Sequence, residues 1–175
     1  MIMPPRLRKF ALTAHVIFSV GWLGAVVAFL ALAIAGLASD DPLLVRATYI
    51  AMDLTGWYVI LPWCLASLLT GLISSLATSW GLFRQYWVLF KLLMTVPSTL
   101  MLLVHMQPIT YVASVASETT LSAPDLHGLR IQLIVEAGAA FVVLVVATAL
   151  SVYKPKGATR YGWRKQHERR VLSQT

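Results

Sequence analysis

Residues Phe10–Leu37 read FALTAHVIFSVGWLGAVVAFLALAIAGL, an apolar run whose one ionisable side chain is His15. A helix needs roughly 20 such residues to cross a hydrocarbon core about 30 Å thick. Working outward, three more runs of the same kind follow at Tyr49–Ala77, Tyr86–Met106 and Ile131–Tyr153. Only helices satisfy their own backbone hydrogen bonds segment by segment in lipid. The chain is therefore expected to be all-α: a polytopic membrane protein forming one four-transmembrane-helix bundle, with a basic tail over 154–175.

Composition agrees. Of the 175 residues 58% are hydrophobic and 12% charged, about half the charge of a soluble domain, and the mean hydropathy is +0.75. The formal charge of +7 is distributed as membrane topology requires, not as a nucleic-acid surface would be. Eleven of the fourteen Lys and Arg fall at Arg6, Arg8 and Lys9, at Arg84, and between Lys154 and Arg170. In a four-span layout those three places share one side, and basic loops stay in the cytoplasm, so both termini are expected there. Arg6-Leu7-Arg8-Lys9 ahead of the first run imitates a signal peptide. The run is about twice the length of a signal h-region, which favours a retained helix. A single cysteine, Cys64, allows no internal disulfide and no zinc pattern. Phosphate-binding glycine loops, Ser-His-Asp arrangements and HExxH are absent from the sequence.

The expected connections are Ala38–Thr48, Thr78–Arg84 and Gln107–Arg130. Pro62 and Pro97 are expected to kink the second and third helices, and Pro155 with Gly157 to stop the fourth. Helical spacing gives every span a polar line. His15, Ser19 and Trp22 lie on the first, and Asp53, Trp57, Cys64, Ser67, Gly71, Ser74 and Thr78 on the second. Lys91, Thr95, Ser98 and His105 lie on the third, and Gln132, Glu136 and Ser151 on the fourth. Such lines are satisfied by facing one another. Gly21, Gly24, Ala25 and Ala28, with Ala137, Gly138, Ala139 and Ala140, would let the first and fourth helices approach closely, and an exposed small-residue seam would permit a homodimer or a membrane partner.

Ionisable groups inside a membrane are costly and mark function. At about 1.5 Å per residue they fall into two layers. His15 and Lys91 share a level near the cytoplasmic edge. His15 there suits an axial ligand of haem b, with Lys91 or a juxtamembrane Arg meeting a propionate; alternatively Lys91 snorkels to the headgroups. Asp53, His105 and Glu136 lie near the other edge, with His127 and Arg130 just above. Imidazole and carboxylate together suit a divalent metal such as zinc, iron or manganese, while Met101 and Met106 beside His105 would favour copper. The alternative is that Asp53 and Glu136 pair with Arg130 or cap helix ends. The tail interleaves Lys and Arg with Tyr161 and Trp163, as a segment bound to anionic lipid headgroups would, or as a topology anchor.

Two segments carry a resemblance. His15-Val-Ile-Phe-Ser-Val-Gly-Trp22-Leu-Gly24, followed later by Trp87-Val-Leu-Phe-Lys91, resembles the openings of helices in several small bacterial membrane families. Tyr153-Lys-Pro-Lys-Gly-Ala-Thr-Arg-Tyr-Gly resembles the tail of four-helix proteins found widely in bacteria, a likeness that covers essentially the whole chain and carries no activity with it. It implies the bacterial cytoplasmic (inner) membrane. The first and third helices also resemble, more distantly, the HemJ-type protoporphyrinogen oxidases and the CopD copper-resistance membrane domain. The HemJ likeness implies haem b liganded at His15, with Lys91 in the same pocket and Trp22 on the same helix face. Three roles remain open from the sequence: a haem- or metal-binding membrane redox protein, a metal or small-solute transporter using the His105–Glu136 layer, and a non-catalytic assembly partner.

Overall fold

The structure is a computed structural model and describes residues 4–76, 85–118, 124–153, 157, 159, 163 and 164. Helix α1 spans Pro5–Ala38. The second span is α2 (Pro42–Thr55), a π-helical turn at Gly56–Ile60, and α3 (Leu61–Leu76). Helices α4 (Tyr86–Glu118) and α5 (Pro124–Tyr153) complete it. Four segments are long and apolar enough to cross a membrane, Pro5–Ala38, Pro42–Leu76, Tyr86–Ala116 and Leu126–Tyr153. The chain is a multi-pass membrane protein with an all-α, four-helix bundle.

The helices are longer than the apolar runs. The expected first connection, Ala38–Thr48, shrinks to three residues, because Asp41 caps α2: its Oδ1 accepts from Leu43 N at 3.0 Å, and Pro42 takes the first helical position. That pairing of cap and proline is what a helix start requires. The expected long connection Gln107–Arg130 is mostly helix. Beyond the apolar run α4 buries Ile109, Val112, Ala113 and Ala116, one helical face against α2. Thr78–Arg84 lies outside the described residues.

Neither internal proline ends a helix. Pro62 has no N–H, and its ring presses on the carbonyl four residues back. The chain accommodates it by widening one turn ahead, where Leu61 N–H reaches Gly56 O. Pro97 and Pro108 both sit inside α4. Hydroxyls along α4 bond back to carbonyls one turn earlier, Thr95 to Lys91 O at 2.9 Å and Thr99 to Thr95 O at 2.8 Å. In hydrocarbon those bonds satisfy hydroxyls that would otherwise be unpaired.

The helices form a ring. Helix α1 packs on α2, α3 and α5, and α4 packs on the same three; among the described residues the backbones of α1 and α4 stay apart, and α5 meets the second span through the Arg130 side chain. Successive spans therefore run antiparallel around the bundle, and Arg6, Arg8 and Lys9 mark its basic end. The core holds Trp22, Val26, Phe29, Tyr49, Met52 and Met106, while Val20, Val27, Leu69, Val104 and Val142 are exposed. Such a surface belongs in lipid.

Helix α1 packs on α5 as well as on α3, and Gly21 faces α3. A Cβ on Gly21 would sit 1.8 Å from the Trp63 ring, so α1 docks on α3 there; beside Gly24 and Gly138 no atom lies within 4 Å. Trp63 in turn meets Phe18 edge-on at 5.7 Å between centroids. The N-terminus of α4 is tied to the tail, its Tyr86 N–H donating to Gly157 O at 3.2 Å.

Candidate functional site

His15 lies on the buried line of α1 that includes Ala11, Trp22, Val26 and Phe29. Its Nδ1 is 3.0 Å from Ser67 O and 3.4 Å from Thr70 Oγ1. A carbonyl only accepts, so Nδ1 carries the hydrogen, and in the neutral ring Nε2 is then a lone pair. Nε2 has no hydrogen-bond partner among the described residues. Gly71 makes room for the ring: a Cβ there would come within 3.0 Å of His15 Cε1. One turn along, Ser19 Oγ and Ser67 Oγ bond at 2.8 Å. The polar line of α1 thus meets that of α3.

Lys91 comes from α4 and donates to Ser151 Oγ on α5. His15 on α1 thus meets Ser67 on α3, and Lys91 on α4 meets Ser151 on α5. Lys91 is half-buried. Trp22 lies two turns further along α1 and is 4% exposed; it fills the core.

The expected metal layer separates. His105 Nε2 is 2.7 Å from Glu136 Oε1, and Gln132 Nε2 donates to the same oxygen at 2.7 Å. His105 Nδ1 is 2.8 Å from Met101 O, so this histidine too is fixed by a backbone carbonyl. Asp53 faces another helix pair: its Oδ1 accepts from Thr110 Oγ1 at 2.7 Å, and Thr110 accepts from Trp57 Nε1 at 3.1 Å. His127 is exposed and nine residues from Glu136, half a turn out of phase on a helix. Among the described residues no group of three or more His, Cys, Asp and Glu side chains is gathered as a metal ion would need. Met101 is exposed and Met106 is buried, the latter against Gly56.

The expected pairing of Arg130 with Asp53 or Glu136 is replaced by another arrangement. Arg130 Nε donates to Tyr49 Oη at 2.8 Å, its Nη2 donates to Gly36 O, and its guanidinium lies 5.4 Å from the Tyr49 ring centroid. One arginine therefore links α5, α1 and α2. Thr70, Thr110 and Tyr49 were not distinguished by the sequence, although Thr70 is adjacent to Gly71 and Tyr49 opens the second apolar run. In mid-span Cys64 Sγ and Thr99 Oγ1 lie 3.2 Å apart, so the buried thiol joins α3 to α4.

No protein-family model matches the chain, and neither a curated protein nor a solved structure shows significant similarity to it.

Proposed function

We propose that this is a haem b-binding redox protein of the bacterial cytoplasmic membrane, with both termini in the cytoplasm. The observation that carries the proposal is the fixed tautomer of His15. A backbone carbonyl holds Nδ1–H and leaves Nε2 unbonded on a half-buried residue of the helix face that carries Ala11 and Trp22. A carbonyl that orients an imidazole through its other nitrogen is how proteins prepare a histidine to ligate iron or zinc. Three features of the chain's residues fit the group. Gly71 lets the imidazole lie against α3, where a Cβ would come within 3.0 Å of it. Lys91, which bonds to Ser151, supplies a cation for an acidic substituent. Ser74 Oγ is buried without a hydrogen-bond partner.

Haem supplies one-electron chemistry, tuned by its axial ligand and by burial. The chain's own residues would do the holding: His15 ligates, Ser67 fixes the ring, Gly71 gives it space and Lys91 meets a propionate. The distribution of Lys and Arg supports cytoplasmic termini. The test is the absorbance spectrum of detergent-purified protein from cells supplied with haem. A Soret band in the wild type that His15→Ala abolishes is the expected result; a colourless wild type would dismiss the proposal.

A further inference from the structure

Ser74 is the one buried side-chain polar atom among the described residues with no hydrogen-bond partner. Leaving a hydroxyl in that state is unfavourable, and it is unusual here because the neighbouring hydroxyls of α3 all have partners. Ser67 bonds to Ser19, Thr70 to Ala66 O and Ser75 to Leu72 O. Ser74 had the same local recourse, a carbonyl one turn earlier, and does not use it. Its position is equally specific. Ser67, Gly71 and Ser74 fall at i, i+4 and i+7 on one face of α3. Ser67 O holds His15 Nδ1, and Gly71 lies against the ring. Ser74 is therefore the next residue along the face that carries His15, about one turn toward the basic end.

We infer that the Ser74 hydroxyl is a ligand-binding group, donating to a carboxylate of the molecule that His15 holds. The inference rests on haem binding at His15, where that carboxylate is a propionate. A hydroxyl donating to a carboxylate makes a charge-assisted bond, stronger than one between neutral groups. It would also remove the unpaired group. Lys91, the cation within the third span, favours the same acidic substituent.

The experiment compares full-length wild type and Ser74→Ala with two probes, haem b and its dimethyl ester, in which both propionates are blocked. Ser74→Ala should weaken haem binding about tenfold, the worth of one such bond, and leave ester binding within about twofold. The Soret position should not move, since His15 still ligates. Without haem, Ser74→Ala should unfold at an equal or higher denaturant concentration, because it removes an unpaired hydroxyl. Equal weakening toward both probes, or no weakening toward haem, would overturn the role of Ser74 while leaving His15 ligation standing. A less stable Ser74→Ala apoprotein would overturn it as well, by showing that the hydroxyl has a partner in the protein. Failure of the wild type to bind either probe would overturn haem binding itself, and the Ser74 assignment with it.

Discussion

Replacing Gly21 by alanine tests the α1–α3 contact that holds His15 against Ser67 and Gly71. The added methyl would lie 1.8 Å from Trp63 Cζ3 and 2.1 Å from Cε3, far inside van der Waals contact. The indole must move, and it is a rigid ring already engaged edge-on with Phe18. Forcing a methyl into a packed contact costs about 1–3 kcal/mol, and losing the aromatic pair about 0.5–1.5 kcal/mol more. Alanine also favours helix over glycine by about 1 kcal/mol, a gain shared by any such substitution. Gly24→Ala, with nothing within 4 Å of its added Cβ, isolates that gain. Relative to Gly24→Ala, Gly21→Ala should lose about 2–4 kcal/mol. Equilibrium unfolding in mixed micelles, with the fraction of denaturing detergent raised stepwise and helicity followed by far-ultraviolet dichroism, measures the difference. Equal stability of the two variants would refute the packing of α1 on α3.

Tyr49→Phe removes the phenol oxygen that accepts from Arg130 and should cost about 1–3 kcal/mol. The loss should largely vanish in an Arg130→Met background; full additivity in the same unfolding assay would remove the claimed link. Glu136→Leu leaves His105 without its carboxylate partner and should destabilise by a similar amount, about 1–3 kcal/mol. His105→Leu combined with Glu136→Leu should recover most of that loss, since an apolar pair suits this setting as well as an ionic one. A double variant no more stable than Glu136→Leu alone would count against their pairing. For topology, Lys9→Cys and Ser39→Cys in a Cys64→Ser background should react with a membrane-impermeant maleimide from opposite sides, Ser39→Cys in intact spheroplasts and Lys9→Cys only after lysis. The reverse pattern would invert the orientation.

The number of spans was legible because it depends on length and hydropathy alone. Their ends were less so, because apolar runs report where the chain meets hydrocarbon, not where helices stop. Asp41 with Pro42 was a readable helix start inside a stretch expected to be a loop, and the buried face of Ile109, Val112 and Ala116 continues α4 past His105. The polar lines were legible as lines, and they do meet: His15 and Ser19 with Ser67, Lys91 with Ser151, and His105 with Gln132 and Glu136. What spacing along one helix could not supply was which pair of helices each residue falls between. Asp53 and His105 are close in depth but lie against different neighbours, so the expected four-residue metal set divides. The small residues misled for a related reason. Gly21 and Gly24 differ by three positions, yet only Gly21 lies opposite a large side chain.

The most direct test concerns the inward turn of α1, because His15, Gly71 and Ser74 share a site only if that face meets α3. Ser19 Oγ and Ser67 Oγ are 2.8 Å apart, so cysteines at the two positions place their sulfurs within reach of a disulfide. In a Cys64→Ser background, Ser19→Cys with Ser67→Cys should oxidise rapidly in the membrane to an intramolecular bridge. Intact mass would then show two hydrogens lost and neither thiol alkylated. Two freely alkylated thiols, or bridges formed only between molecules, would contradict the arrangement of α1 on α3 and the haem site built on it.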